Sequence, residues 1–116
     1  MGTNANGALT RAYLEATEQT EPNGPQEREY YALGLCGEAG EVAELVKKEV
    51  YHGRPALAGD VAKEMGDVLW YLVRLARSYG WTLEELLEIN AMKLALRYPR
   101  GYSHAASAAR LDTKEG

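Results

Sequence analysis

At 116 residues with 46% hydrophobic side chains, the chain has the size of one ordinary domain, and no window approaches the ~18 consecutive apolar residues of a membrane span. A formal net charge of −4 lacks the basic excess of a dedicated nucleic-acid binder, yet phosphate-bearing small molecules stay open because a bound cation reverses the local sign. The single cysteine, Cys36, excludes an internal disulfide; with an N-terminus that lacks the basic and apolar regions of a secretion signal, it leads to the expectation of a soluble, cytoplasmic protein.

The chain reads as all-helical, with no internal repeat. A first helix is predicted from Leu9 to Thr20, with Leu9, Tyr13 and Ala16 on one side. It stops before Glu21-Pro22-Asn23-Gly24-Pro25, where two prolines and an Asn-Gly pair end any regular element. The second helix starts at Gln26 or Arg28 and runs to Val50, with Lys47 and Lys48 favourably placed in its last turn. Tyr51-His52-Gly53-Arg54 turns the chain. A third helix begins at Pro55, a good first helical residue, or at Asp60 as N-cap; it continues to Tyr79, with Gly80 as its stop. Thr82 is read as the N-cap of a fourth helix, with Glu85 completing a capping box, and Pro99 and Gly101 end it after Arg97. The domain is therefore placed at residues 9–102, between a flexible N-terminus (1–8) and a Ser/Ala-rich tail (103–116) expected to be loose or to order on a neighbour. The short connection between the second and third helices predicts that they lie antiparallel and adjacent.

Those two helices carry acids where leucine would be usual. At 100° per residue, Glu38 and Glu41 share a stripe with Tyr31, Leu35, Val42 and Leu45, and Glu64 and Asp67 share one with Val61, Val68, Tyr71, Leu72 and Leu75. Carboxylates are costly to bury unpaired, so two pairs spaced i, i+3 predict a cation held between the helices. Starting the third helix at Pro55 sets the pairs level with each other; starting at Asp60 does not, unless the longer loop climbs back. An oxygen-only donor set favours Mg²⁺ first and Mn²⁺ second, and His52 and His104 lie away from the stripe. Without a cation, mutual repulsion would force some of the carboxyls to protonate. The competing explanation is solvated surface acids, or acids paired with Arg74 and Arg77.

On the fourth helix Leu83, Leu86, Asn90, Lys93 and Arg97 share one stripe, and Glu84, Glu85 and Glu88 lie opposite. Amide, ammonium and guanidinium make a poor core but a reasonable phosphate or base contact. Lys93 and Arg97 equally fit charges that snorkel at a helix C-terminus.

The segments Gly34-Leu35-Cys36-Gly37-Glu38-Ala39-Gly40-Glu41-Val42-Ala43-Glu44, Glu64-Met65-Gly66-Asp67-Val68-Leu69-Trp70-Tyr71-Leu72, Asn90-Ala91-Met92-Lys93-Leu94 and Arg97-Tyr98-Pro99 together resemble the MazG-type nucleotide pyrophosphohydrolases over residues 9–103. The resemblance implies an all-α, four-helix bundle-like fold of antiparallel helices completed by oligomerisation, as a homodimer or a dimer of dimers. It implies Mg²⁺-dependent cleavage of nucleoside triphosphates to monophosphate and pyrophosphate. Glu38, Glu41, Glu64 and Asp67 then match the metal ligands, Asn90 and Lys93 nucleotide contacts, and Tyr71 a residue lining the nucleotide pocket. Many members carry a further glutamate where this chain has Gly37. On this basis Glu38 or Glu41 orients the attacking water, and Lys93, Arg97 and Lys48 neutralise the outer phosphates. Trp70, Tyr71, Trp81 and Tyr98 are the candidates to stack on a base. Alternatives are a dedicated dUTP, dCTP or phosphoribosyl-ATP pyrophosphohydrolase, and a non-catalytic helical bundle that binds nucleotide or metal.

Overall fold

The structure, a computed structural model, describes residues 7–21, 23–53 and 58–113. These form helices α1 (Ala8–Gln19), α2 (Arg28–Tyr51), α3 (Ala58–Ser78), α4 (Leu83–Arg97) and α5 (His104–Ala109), with no strand among the described residues. Two compact units divide the chain, residues 1–80 and 81–116. The Pro55 alternative for the start of α3, most of the N-terminal segment and the last three residues of the tail lie outside the described residues.

In the first unit α2 and α3 run antiparallel. Arg28 at the start of α2 donates to Ser78 at the end of α3, through Nε to Oγ at 3.2 Å and through its terminal nitrogen to the carbonyl at 2.7 Å. The same guanidinium lies 3.6 Å above the Tyr79 ring. Further along α2, Tyr31 meets Trp70 and Gly34 meets Tyr71. The expected stripes are the ones that turn inward: Tyr31, Leu35, Glu38, Val42 and Leu45 on α2, and Val61, Glu64, Val68, Tyr71 and Leu75 on α3, are all buried or half-buried. Glu41, Asp67 and Leu72, expected on the same stripes, sit at the flanks and are exposed. A strict 3.5-residue seam between two antiparallel helices is narrower than the stripe the sequence admits.

Helix α1 packs against α3. Its inward face differs from the expected one: Leu9 and Ala16 are exposed, while Thr17 is fully buried. Burial of this hydroxyl is tolerable because Thr17 Oγ1 donates to the Leu14 carbonyl at 2.7 Å within its own helix. Tyr31, Val73 and Ala76 are the buried apolar residues among those described. Beside them lies an ion pair the sequence did not announce. Arg74 Nε donates to Glu21 Oε1, with both side chains under a tenth exposed, and the Tyr31 hydroxyl donates to the same oxygen at 2.6 Å while accepting from the Gln26 amide at 2.8 Å. Arg74 therefore pairs with the interhelical turn and not with the acids of α2 and α3. Gly80, with φ 84°, ends the unit in the left-handed conformation that favours glycine.

In the second unit the predicted capping box is present: the Glu85 amide donates to Thr82 Oγ1 and the Thr82 amide to Glu85 Oε1, each at 3.1 Å. The tail is more ordered than its composition implies. Ser103 caps α5 by accepting from the Ala106 amide at 3.0 Å, and Asp112 returns to α4, where Arg97 donates to its two oxygens at 2.6 and 3.2 Å. A short alanine-rich segment gains helix once it has a cap at one end and an anchor beyond the other.

Candidate metal and nucleotide site

Glu38 from α2 and Glu64 and Asp67 from α3 gather, each contributing one carboxylate oxygen, with these oxygens all within 4.8 Å of one another. Glu64 and Asp67 are one turn apart, so a single helix supplies both, and the antiparallel seam brings Glu38 opposite them. No Lys or Arg forms an ion pair with any of the three among the described residues. The Glu38 carboxyl is held above its ordinary value, first by burial, then by a hydrogen bond with Glu64 and by the charges of Asp67, Glu64 and Glu41. Such crowding is the expected signature of a site that lacks its counter-charge.

Glu41 was expected as a fourth member. It lies one turn beyond Glu38, near enough for its charge to act there, but its oxygens are not among those that gather. The set of donors fits a hard divalent cation: all are carboxylate oxygens from two rigid helices, and three protein ligands leave positions for water or phosphate oxygens.

A cavity of about 470 Å³ opens beside these acids, lined by Thr20, Tyr30, Glu38, Asp67, Trp70 and Tyr71. Its apolar walls are aromatic. Tyr71 stands edge-on to Trp70 at 4.9 Å and tilted to Tyr30 at 6.1 Å. Burial, then the hydrogen bond to Tyr30, then the charges of Tyr30, Glu38 and Asp67 push the Tyr71 hydroxyl upward, so it stays neutral and able to donate. Trp70 Nε1 donates to Thr20 Oγ1 at 2.8 Å, which fixes the indole and ties the end of α1 to the cavity. A larger groove of about 690 Å³ lies by Glu21, Tyr31, Arg74 and Arg77; there Arg74 pairs with Oε1 of the buried Glu21, and Oε2 has no hydrogen-bond partner among the described residues.

The remaining expected residues are distributed as follows. Lys48 pairs with Glu44 on its own helix at 3.9 Å, an exposed contact that water or phosphate readily replaces. Asn90 and Lys93 are exposed on α4, and Arg97 is held by Asp112. Trp81 is 44% exposed, and Tyr98 packs on Tyr102 at 5.4 Å. Thr20, Tyr30 and Tyr13 were not anticipated at the site. Tyr13, on α1, has its hydroxyl raised by burial and then by the charge of Asp67. Tyr30 was within reach of sequence reasoning, since Tyr30, Gly34 and Glu38 form one i, i+4 ridge on α2. For Thr20 there was no local signal, because its position depends on where the irregular turn after α1 leads.

Residues 26–102, more than half of the chain, match the MazG nucleotide pyrophosphohydrolase domain. The chain is also similar to the Gene 37 protein of Mycobacterium phage L5, with 37% identity over 76 residues, covering 62% of this chain and 67% of that protein. No solved structure matches it.

Proposed function

Because the chain belongs to the MazG nucleotide pyrophosphohydrolase family, we propose that it hydrolyses canonical or damaged (deoxy)nucleoside triphosphates at the α–β anhydride. The products are nucleoside monophosphate and pyrophosphate, with Mg²⁺ as the resident ion and Mn²⁺ as a substitute. The observation that carries this reading is the gathering of Glu38, Glu64 and Asp67 within 4.8 Å, with no basic partner among the described residues, at the edge of an aromatic cavity. Glu21 and Arg74 show neutralisation within the chain, and no such basic partner meets these three acids among the described residues.

Glu38, Glu64 and Asp67 would hold the ion, with Glu41 one turn away to receive a second ion or a bound water. When present, the ion supplies positive charge against the triphosphate oxygens as the anhydride breaks. Glu38 or Glu41 orients the attacking water toward the α-phosphorus and accepts its proton. Tyr71 and Trp70 form the walls against which a base stacks, as their tilted and edge-on arrangement supports. Lys93, Lys48 and Arg97, with Asn90, are assigned to the phosphates and sugar. For Arg97 this means exchanging the Asp112 carboxylate for a phosphate, one oxyanion for another.

A homodimer or dimer of dimers is part of the same proposal. Leu87, Ile89, Met92, Leu94 and Leu96 on α4 are 46–66% exposed, and α2 and α4 carry apolar side chains on more than one side. Helices of that kind need cover on more than one face.

The test is a panel of nucleoside triphosphates with Mg²⁺, with pyrophosphate and orthophosphate both quantified. Pyrophosphate and monophosphate in equal amounts are expected. Orthophosphate as first product contradicts cleavage at the α–β bond, and retained Mg²⁺ binding without turnover favours a non-catalytic nucleotide or metal sensor.

A further inference from the structure

Glycine inside a helix is normally replaceable by alanine with a gain in helix stability. In α2 and α3 this holds sterically for Gly37, Gly40, Gly59 and Gly66, where an added Cβ meets nothing within 4 Å. Gly34 is different. A Cβ there would lie 2.1, 2.4 and 2.6 Å from Cε1, Cδ1 and Cζ of Tyr71. The Tyr71 ring thus lies directly on the α2 backbone, in a notch that only a residue without a side chain leaves open.

The ring has little freedom to go elsewhere. Trp70 stands edge-on to it at 4.9 Å, and Tyr30 flanks it at 6.1 Å. Its remaining side is a wall of the 470 Å³ cavity that also holds Glu38 and Asp67. Restoring ordinary contact with a methyl at position 34 moves the ring by more than an ångström, and the direction left open is into the cavity.

We propose that Gly34 is a specificity-determining position: by seating the Tyr71 ring in α2 it sets the depth of the cavity, and with it the size of the planar base that fits. This rests on the nucleotide reading above. A bicyclic purine needs more of that depth than a monocyclic pyrimidine, so filling the notch penalises purines first. Gly34 touches neither metal nor substrate; it acts through Tyr71 and is a positioning residue.

The experiment measures kcat and KM for dATP and dCTP, and Mn²⁺ affinity, in the wild type, Gly34→Ala, Tyr71→Leu and the double variant. The expected result is a roughly tenfold fall in the dATP-to-dCTP ratio of kcat/KM in Gly34→Ala, carried by KM, with Mn²⁺ affinity unchanged. In a Tyr71→Leu background the alanine should have little further effect, because the ring it collides with is gone. An unchanged ratio overturns the proposal, as do additive effects in the double variant. A matching loss of Mn²⁺ affinity also overturns it, since that reports α2 and α3 parting instead of the ring moving. If Gly34→Ala alone does not fold, rescue of folding by Tyr71→Leu supports the seat, and failure of both variants overturns it. A wild type that neither turns over nor binds the α,β-imido analogues of dATP and dCTP overturns the nucleotide reading and this one together. Wild-type turnover with unaltered discrimination in the variant overturns this one alone.

Discussion

Helix α3 meets acids at two levels and treats them in two ways. Near its C-terminus Arg74 meets Glu21, and the Tyr31 hydroxyl donates to the same Glu21 oxygen. Two turns earlier Glu64 and Asp67 meet Glu38 with no cationic side chain among the described residues, and Glu38 is driven toward its neutral form. The first arrangement has its counter-charge within the chain, though Glu21 Oε2 is buried without a hydrogen-bond partner among the described residues, and it joins the turn after α1 to the helix pair. The second has no protein counter-charge among the described residues, which is why a divalent cation is proposed for it.

Breaking the structural pair should give the largest effect on stability. Arg74→Met leaves Glu21 buried without a counter-charge and should lower unfolding free energy by about 3–5 kcal/mol, measured by urea denaturation. Glu21→Leu combined with Arg74→Met should recover much of that loss, since an apolar pair of similar volume carries no desolvation cost. At the other end the sign reverses. Glu64→Gln removes repulsion, so the cation-free protein should melt higher than wild type while its Mg²⁺-dependent gain in Tm shrinks and turnover falls by about 10²-fold or more.

A pH series separates the two regions further. In the cation-free protein the folded state holds the Glu38 proton above the ordinary 4.5, so folded molecules carry a proton that unfolded ones have shed. Stability should therefore decline as pH rises through the interval above 4.5, and Mg²⁺ should abolish the decline. In the second unit Asp112 behaves oppositely. Arg97 holds its carboxyl below 3.8, so its contribution is present above that value and is lost as pH falls through the lowered one. Asp112→Asn should remove this acid-side loss and is the smallest of these effects. Thermal melts from pH 3 to 8, with and without Mg²⁺, check both.

The acids of α2 and α3 were legible in the sequence because residue type and periodicity conflict there: carboxylates occupy positions a helix pair reserves for leucine. The same periodicity admitted Glu41, since a stripe read at 100° per residue is wider than the seam two helices share. The Thr82–Glu85 capping box was legible for another reason, being a local pattern complete within four residues. Glu21–Arg74 joins positions 53 apart through an irregular turn, and no local pattern encodes where such a turn lands. Thr20 was hidden for the same reason, and its bond to Trp70 spans 50 positions. The Arg97–Asp112 pair was not legible, because the acid lies in a tail whose composition signals little structure.

The central claim is that Glu38, Glu64 and Asp67 form one divalent-cation site. Its most direct test is a Mn²⁺ titration followed by electron paramagnetic resonance, on wild type and on Glu38→Gln and Asp67→Asn. Saturable binding in the wild type, competed by Mg²⁺ and weakened by at least about tenfold in each variant, is the predicted result. Binding that is absent in the wild type, or unchanged in both variants, contradicts it.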